Sequence, residues 1–353
     1  TMQDFIQLMQ KRPVIPEFMP YFIRSYQDVL KTFFKSEKIR QSMAYQSFYA
    51  SHPPDLCAGI FAMLPYLEHL GVYYPRGGMI QIPLAVKRLG EKFGMEVRMN
   101  QLVTKVVVDQ NRRASGVVLA DGSTCSAKVI VSNVNAKTLY LDLIGEQHLP
   151  WLTRIGIKSY ELSLTSPMIY LGLDQAPQLD AHHTIFPLSL DTMNDAWWNR
   201  YSKGLLPEEQ FGLMCCPTFT DPSLAPEGQH TLNLILVGPY ALSNTTWDRE
   251  KSRFIEQTVD YISRHYLPGL KDHIVTSDMS TPLDYERKLR LPGGAIYGLQ
   301  EDLTAQAVFR PASKSKSIGG LYLTGASTHP GGGVPTTMGS GMIAAEQILK
   351  NEF

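Results

Sequence analysis

An excess of charge of either sign is missing from this chain: its 353 residues carry 33 Lys and Arg against 33 Asp and Glu, so the formal net charge is zero. No cluster of basic residues stands out. The electrostatic footprint of a nucleic-acid-binding protein is therefore lacking, and no nucleic-acid partner is expected. Cysteine is scarce as well. Cys57, Cys125, Cys215 and Cys216 are too few and too scattered for a disulfide framework or a zinc site. The vicinal pair follows the apolar residues Phe211, Leu213 and Met214 and reads as packing, which suits a reducing, cytoplasmic compartment. The nine histidines show no metal spacing such as His-Glu-x-x-His, so no metal is expected, and His182-His183 reads as surface or loop. Long apolar runs are missing too. A membrane span needs roughly 18 such residues, whereas the longest stretch, Cys57 to Leu67, is short and holds Pro65. No signal peptide opens the chain. These absences leave a protein that is soluble or rests on a membrane surface.

What is present is ordinary globular composition, 44% hydrophobic and 19% charged, in a chain long enough for two or three domains. Residues 1–73 read as helical, with apolar residues at three-to-four spacing in Phe5 to Met9, Pro20 to Ile23 and Val29 to Phe34. Such stripes pack into a core or face lipid. The pattern predicts a helix over Ile80 to Phe93, stopped by Gly94. Three strands are predicted next, over Glu96 to Val108, Ala114 to Leu119 and Thr124 to Val131, with Asp121-Gly122 as a hairpin turn. From about 140 to 285 the reading is α+β, with strands at Leu162 to Leu173, Phe211 to Thr218 and Thr231 to Val237 and an amphipathic helix from Arg249 to Tyr266. The last helix is placed at about Thr336 to Lys350.

One stretch carries the functional argument. A short strand, Leu321 to Thr324, runs into the small residues Gly325, Ala326, Ser327 and Thr328, then His329 and Pro330, three consecutive glycines (Gly331, Gly332, Gly333), and Val334-Pro335 at a helix start. Glycine lets the backbone approach a ligand closely. Successive N–H groups in such a loop make an anion-friendly concavity, and a helix N-terminus adds about half a positive charge. Proline in the first turn forfeits no hydrogen bond. Either the glycines serve tight turns alone, or the loop holds a phosphate or an electron-rich ring. It is not a P-loop, because no Gly-Lys-Ser/Thr follows.

This stretch resembles the C-terminal flavin-contacting signature of the phytoene-desaturase (carotenoid desaturase) family, within the FAD-dependent amine-oxidase-like superfamily. The likeness continues in Tyr74 to Met79, Asp221 to Gly228, Tyr266 to Leu270 and Phe309-Arg310-Pro311, in the family's order. It implies an α/β fold combined with α+β: a partial glutathione-reductase-type FAD domain, made of a three-stranded meander and a C-terminal strand–helix, with an inserted substrate domain. On that basis residues 1–73 form a helical, substrate- or membrane-facing part, 74–138 and 286–353 are FAD-domain pieces, and 139–285 is the substrate domain. The implied cofactor contacts are Val103, Ser132, Asn133, Gly325, Ala326, His329 and Gly331 through Pro335. Gly293 to Gly298 is a further candidate for approach to the flavin ring. The family's N-terminal strand–Gly-x-Gly-x-x-Gly–helix is not found near the start of this chain, so the expectation is a chain without its N-terminal dinucleotide-binding segment.

The reaction implied by the resemblance is desaturation of a long polyene hydrocarbon, phytoene-like, with hydride passing to FAD, the protein supplying orientation and electrostatics. A polyene isomerase or a retinoid-type saturase shares the same motifs. From another class, a non-catalytic fragment or flavin-free lipid-binding protein fits the missing fingerprint. Peripheral membrane contact is expected for a lipid-dissolved substrate. No catalytic acid–base residue and no electron acceptor can be named.

Overall fold

Ten short strands carry the fold of the described part of this chain, whose computed structural model describes residues 15–301 and 309–353. The strands are β1 (Val103–Val108), β2 (Ala114–Leu119), β3 (Thr124–Ser126), β4 (Ile130–Ser132), β5 (Met168–Leu173), β6 (His183–Phe186), β7 (Gly212–Cys215), β8 (His230–Leu236), β9 (Ile274–Ser280) and β10 (Leu321–Leu323). The helices used below are α1 (Gln81–Lys92), α2 (Trp247–His265) and α3 (Val334–Glu352). The apolar stripe at Phe5 to Met9 lies outside the described residues.

The chain divides into two compact units, each assembled from separated segments. The first holds residues 98–163 and 285–353. In it β1, β2 and β3 form the antiparallel meander. Gly122 makes its second turn at φ 85°, a conformation that side chains with a Cβ resist, while Asp121 accepts from the Ser123 N–H and hydroxyl. The expected strand Thr124–Val131 is broken in two. β3 ends at Ser126, and β4 leaves the meander to pair in parallel with β10, Ile130 opposite Leu321 and Ser132 opposite Leu323. That partner comes from the far end of the chain, where no local pattern could announce it. The expected strand from Glu96 likewise begins only at Val103. Behind these strands a π-helical stretch, Thr138–Gly145, buries Leu139, Tyr140, Leu143 and Ile144 against Val106, Ile318, Leu321 and Leu323.

Among the described residues the second unit comprises 15–97 and 164–284. Its centre is a five-stranded antiparallel sheet in the order β6-β7-β8-β5-β9. On β8, Leu232, Leu234 and Leu236 point to one face and pack with Ile169, Leu171 and Leu173 of β5 under α2. α2 supplies Trp247, Phe254, Val259 and Ile262, residues that share one side of a 3.6-residue period. Each fully buried side chain of this size contributes about 1.5–3 kcal/mol of burial energy. Asp248 and Glu250 in the first turn and Arg264 and His265 in the last complement the helix dipole. The opposite sheet face, with Leu213 and Ile235, is covered by Tyr26, Leu30, Tyr45 and Phe48 from the N-terminal helices. β6 and β9 escaped the sequence reading: β6 spans four residues, and most of β9 is exposed.

These units do not coincide with the expected pieces. Residues 74–97 group with the five-stranded sheet, where the Gly77 N–H donates to Asp221 Oδ2 at 2.6 Å. Residues 139–163 group with the meander, because Leu139 to Ile157 fill its core. Among the described residues no helix is long and apolar enough to cross a membrane.

Candidate functional site

At the carboxyl ends of the parallel pair β4–β10 the two chain segments stay side by side. The Thr324 N–H donates to the Ser132 carbonyl at 2.8 Å. Gly325, at φ 83°, donates its N–H to the buried Ser340 hydroxyl of α3 at 2.7 Å. A Cβ there would stand 3.2 Å from the Asn133 carbonyl oxygen, so glycine is what lets the strand end close on its neighbour. The Ala136 N–H donates to Ser327 Oγ at 3.1 Å, fixing the next turn. Ser132, Asn133, Gly325 and Ala326, singled out from sequence, are thus brought together. The end of parallel strands is where open α/β sheets bind ligands.

The glycine loop follows. Gly331 and Gly333 have φ of 121° and 102°. Gly332 donates its N–H to Glu301 Oε1 at 2.7 Å, and a Cβ on it would lie 2.9 Å from Tyr297 Cβ. Gly333 is the N-cap of α3 and brings no side-chain cap, and Gly333, Val334 and Pro335 are exposed. The first N–H groups of a helix have no partner within it, so this end offers donors and partial positive charge to whatever sits against it. The expected Gly293–Gly298 segment backs the same loop: a Cβ on Gly298 would sit 3.3 Å from Ala326 and Ser327 atoms, and Tyr297 packs on Gly332. Burial, with the Glu301 charge adding to it, pushes the Tyr297 phenol up to about 12.

Two residues missed by sequence reasoning hold this arrangement. Arg310, its side chain 2% exposed, donates to the carbonyls of Ala326 (2.7 Å), Leu299 (2.8 Å) and Gln300 (3.0 Å), and pairs with Glu301 at 3.1 Å. Burial raises the Glu301 carboxyl above its ordinary value, and Arg310 and the Gly332 N–H act against that rise. A chain of contacts therefore runs from Arg310 through Glu301 to the glycine loop. The sequence signal was present only as the arginine of Phe309-Arg310-Pro311.

His329 lines a cavity of about 470 Å³ together with Tyr140, Tyr160, Phe309 and Arg310. Val103 begins β1, and its carbonyl accepts from Arg290 Nη1 at 3.2 Å.

The residues present fit a flavin. Gly333, Val334 and Pro335 are exposed, and the uncapped start of α3 suits the electron-rich edge of such a group.

Comparison with known proteins agrees. The model of the family described as flavin containing amine oxidoreductase matches residues 26–349. The chain is 29% identical to a lycopene-forming phytoene desaturase of Paracoccus sp. over 98% of its length and 69% of that relative's. It is 28% identical to a lycopene-forming phytoene desaturase of Pantoea ananas, covering 99% of the chain and 70% of the relative. Among solved structures, an oxidoreductase from Methanosarcina mazei superposes with a TM-score of 0.59 at 17% identity, over 92% of this chain and 68% of that one. Putrescine oxidase bound to putrescine gives 0.57 at 14%, over 96% and 70%. These two likenesses speak for the fold alone, a mixed α/β fold of the amine-oxidase type. With the glycine loop and the family match in agreement, the chain belongs to the flavin containing amine oxidoreductase family as an FAD-dependent oxidoreductase similar to phytoene desaturases.

Proposed function

We propose that this chain desaturates a long polyene hydrocarbon of the phytoene type. The observation that carries the reading is the glycine loop at the ends of β4 and β10, opening an uncapped helix and buttressed by Glu301 and Arg310. FAD supplies the hydride acceptor when bound. Gly325, Ala326 and Gly331 to Pro335 would lie against it, with Ser132 and Asn133 beside them and His329 at the rim. Val103 would contact the adenine end through its backbone. The unit with the meander is read as the FAD-domain part, and the five-stranded sheet with its N-terminal helices as the substrate domain.

The substrate demands an apolar path. The helices between residues 15 and 69 border an open cavity of about 810 Å³ with a mainly apolar lining that includes Phe18, Tyr21, Phe33, Met63 and Tyr66. Such a lining suits a hydrocarbon, which it would hold by buried apolar area. Peripheral membrane contact is supported by α1, which buries none of its residues and leaves Leu84, Val86 and Leu89 in solvent, with Phe93 just beyond it 85% exposed.

The test is expression in a phytoene-producing host, followed by pigment analysis and by the flavin absorbance of the purified chain. Conjugated products at longer wavelength are expected. Unchanged phytoene beside flavin-loaded protein would overturn the desaturase reading.

A further inference from the structure

A second cluster with its own chemistry lies at the edge of the five-stranded sheet, where β6 is the outer strand. His183 on β6 and Cys215 on β7 are partners in the antiparallel register. Directly opposed residues project from the same sheet face. His182 immediately precedes β6, and its carbonyl accepts the Cys216 N–H at 2.8 Å. One ligand-type atom from each of His182, His183 and Cys215 falls within 4.8 Å of the others.

The orientation of His182 is informative. Its Nδ1 is hydrogen-bonded to Thr220 Oγ1 at 2.6 Å. Its Nε2 is shielded from solvent and has no hydrogen-bond partner among the described residues. Buried polar atoms are nearly always paired, so this orphan nitrogen, on a ring that shares a cluster with a second imidazole and a thiol, asks for an explanation. A histidine that donates Nδ1–H to an oxygen presents the Nε2 lone pair outward, the arrangement of metal-ligating histidines. The Tyr74 ring packs on the His182 ring with centroids 4.5 Å apart and covers that side.

We propose that His182, His183 and Cys215 form a binding site for a single zinc-class transition-metal ion, clamping the edge strand β6 to β7. Two imidazoles and a thiolate select borderline or soft cations such as Zn²⁺, not Mg²⁺ or Ca²⁺, which require oxygen ligands. With Zn–N of about 2.0 Å and Zn–S of about 2.3 Å, tetrahedral ligand atoms stand about 3.3–3.6 Å apart. Closing the cluster therefore takes movement of about 1 Å, which side-chain torsions of His183, the exposed member, can supply. Zinc binding would release the Cys215 thiol proton as the Zn–S bond forms. Three protein ligands leave a fourth position for water. The spacing escapes sequence inspection because the thiol lies on the neighbouring strand.

Zinc content and X-ray absorption of the purified, flavin-loaded chain test this. After incubation with Zn²⁺ and gel filtration, one zinc per chain is expected, with one sulfur and two imidazoles in its first shell. His183→Gln, at the exposed position, should weaken Zn²⁺ binding about a hundredfold or more, since losing even a ligand's outer-shell partner costs about 10–100-fold. Cys215→Ser should remove the sulfur scatterer. If that variant does not fold, His182→Gln replaces it, with the same expected loss of affinity. No zinc retained, an affinity unchanged in His183→Gln, or a sulfur scatterer that survives Cys215→Ser would each overturn the site.

Discussion

Arg310 and Glu301 form the kind of ion pair whose worth depends on staying complete. Removing one partner of a buried pair leaves an uncompensated charge and costs about 3–5 kcal/mol. Arg310→Met should therefore lower the urea-unfolding free energy by about that amount, and adding Glu301→Gln should restore part of it. Arg310→Lys should not rescue, because a single ammonium cannot reach the three carbonyls that the planar guanidinium fork serves. The pH dependence has a definite sign. Burial raises the Glu301 pKa in the folded state, so the folded chain holds this proton more tightly than the unfolded one. Its contribution is fully present below the ordinary carboxylate value and is lost as pH rises through the raised one. Glu301→Gln should flatten that part of the stability-against-pH curve. A curve unchanged by the substitution would remove Glu301 from the account. None of this was legible beforehand. A lone arginine between an aromatic and a proline says nothing of which carbonyls will surround it.

Elements were legible in proportion to how local their causes are. The hairpin strand Ala114–Leu119 and the helix Val334–Glu352 follow from alternation, Asp121-Gly122 and Pro335, all within a few residues. β4 could not be separated from β3, since the reason for its departure is β10. The glycine loop was found because three glycines before a helix are rare without a backbone reason; the Glu301 contact that shapes it was not. Two glycines, one just before α3 and one inside it, make a matched test. A Cβ on Gly332, just before the helix, meets Tyr297 at 2.9 Å, whereas one on Gly341 meets nothing within 4 Å. Gly332→Ala should displace the loop and reduce the flavin retained per chain, read from the visible absorbance of the purified protein. Gly341→Ala should retain flavin and gain about 0.5–1 kcal/mol, the helix-interior preference of alanine over glycine. Equal flavin loss in both would remove the steric argument.

For the molecule as a whole, a net charge of zero and exposed Leu84, Val86, Leu89 and Phe93 set the character of any membrane contact. Attraction to anionic lipid falls off with salt over about 10 Å at 0.1 M, whereas apolar insertion does not. Sedimentation with neutral phosphatidylcholine vesicles should therefore be nearly independent of ionic strength, and Leu89→Glu with Phe93→Glu should abolish it. Binding only to anionic vesicles, lost in salt, would contradict this reading. Fold class was legible at this scale, because ordered family matches run along nearly the whole chain. The two-unit division was less so, since contacts between distant segments decide it. That division has a consequence for how the chain is made. The whole five-stranded unit is translated before β10, while β4, translated earlier, has no partner until β10 is made. One unit can therefore mature during synthesis. The flavin-loop neighbourhood comes into being only once β10 has been translated, so a chain released shortly before Leu321 would carry a formed five-stranded β-sheet and no place for its cofactor.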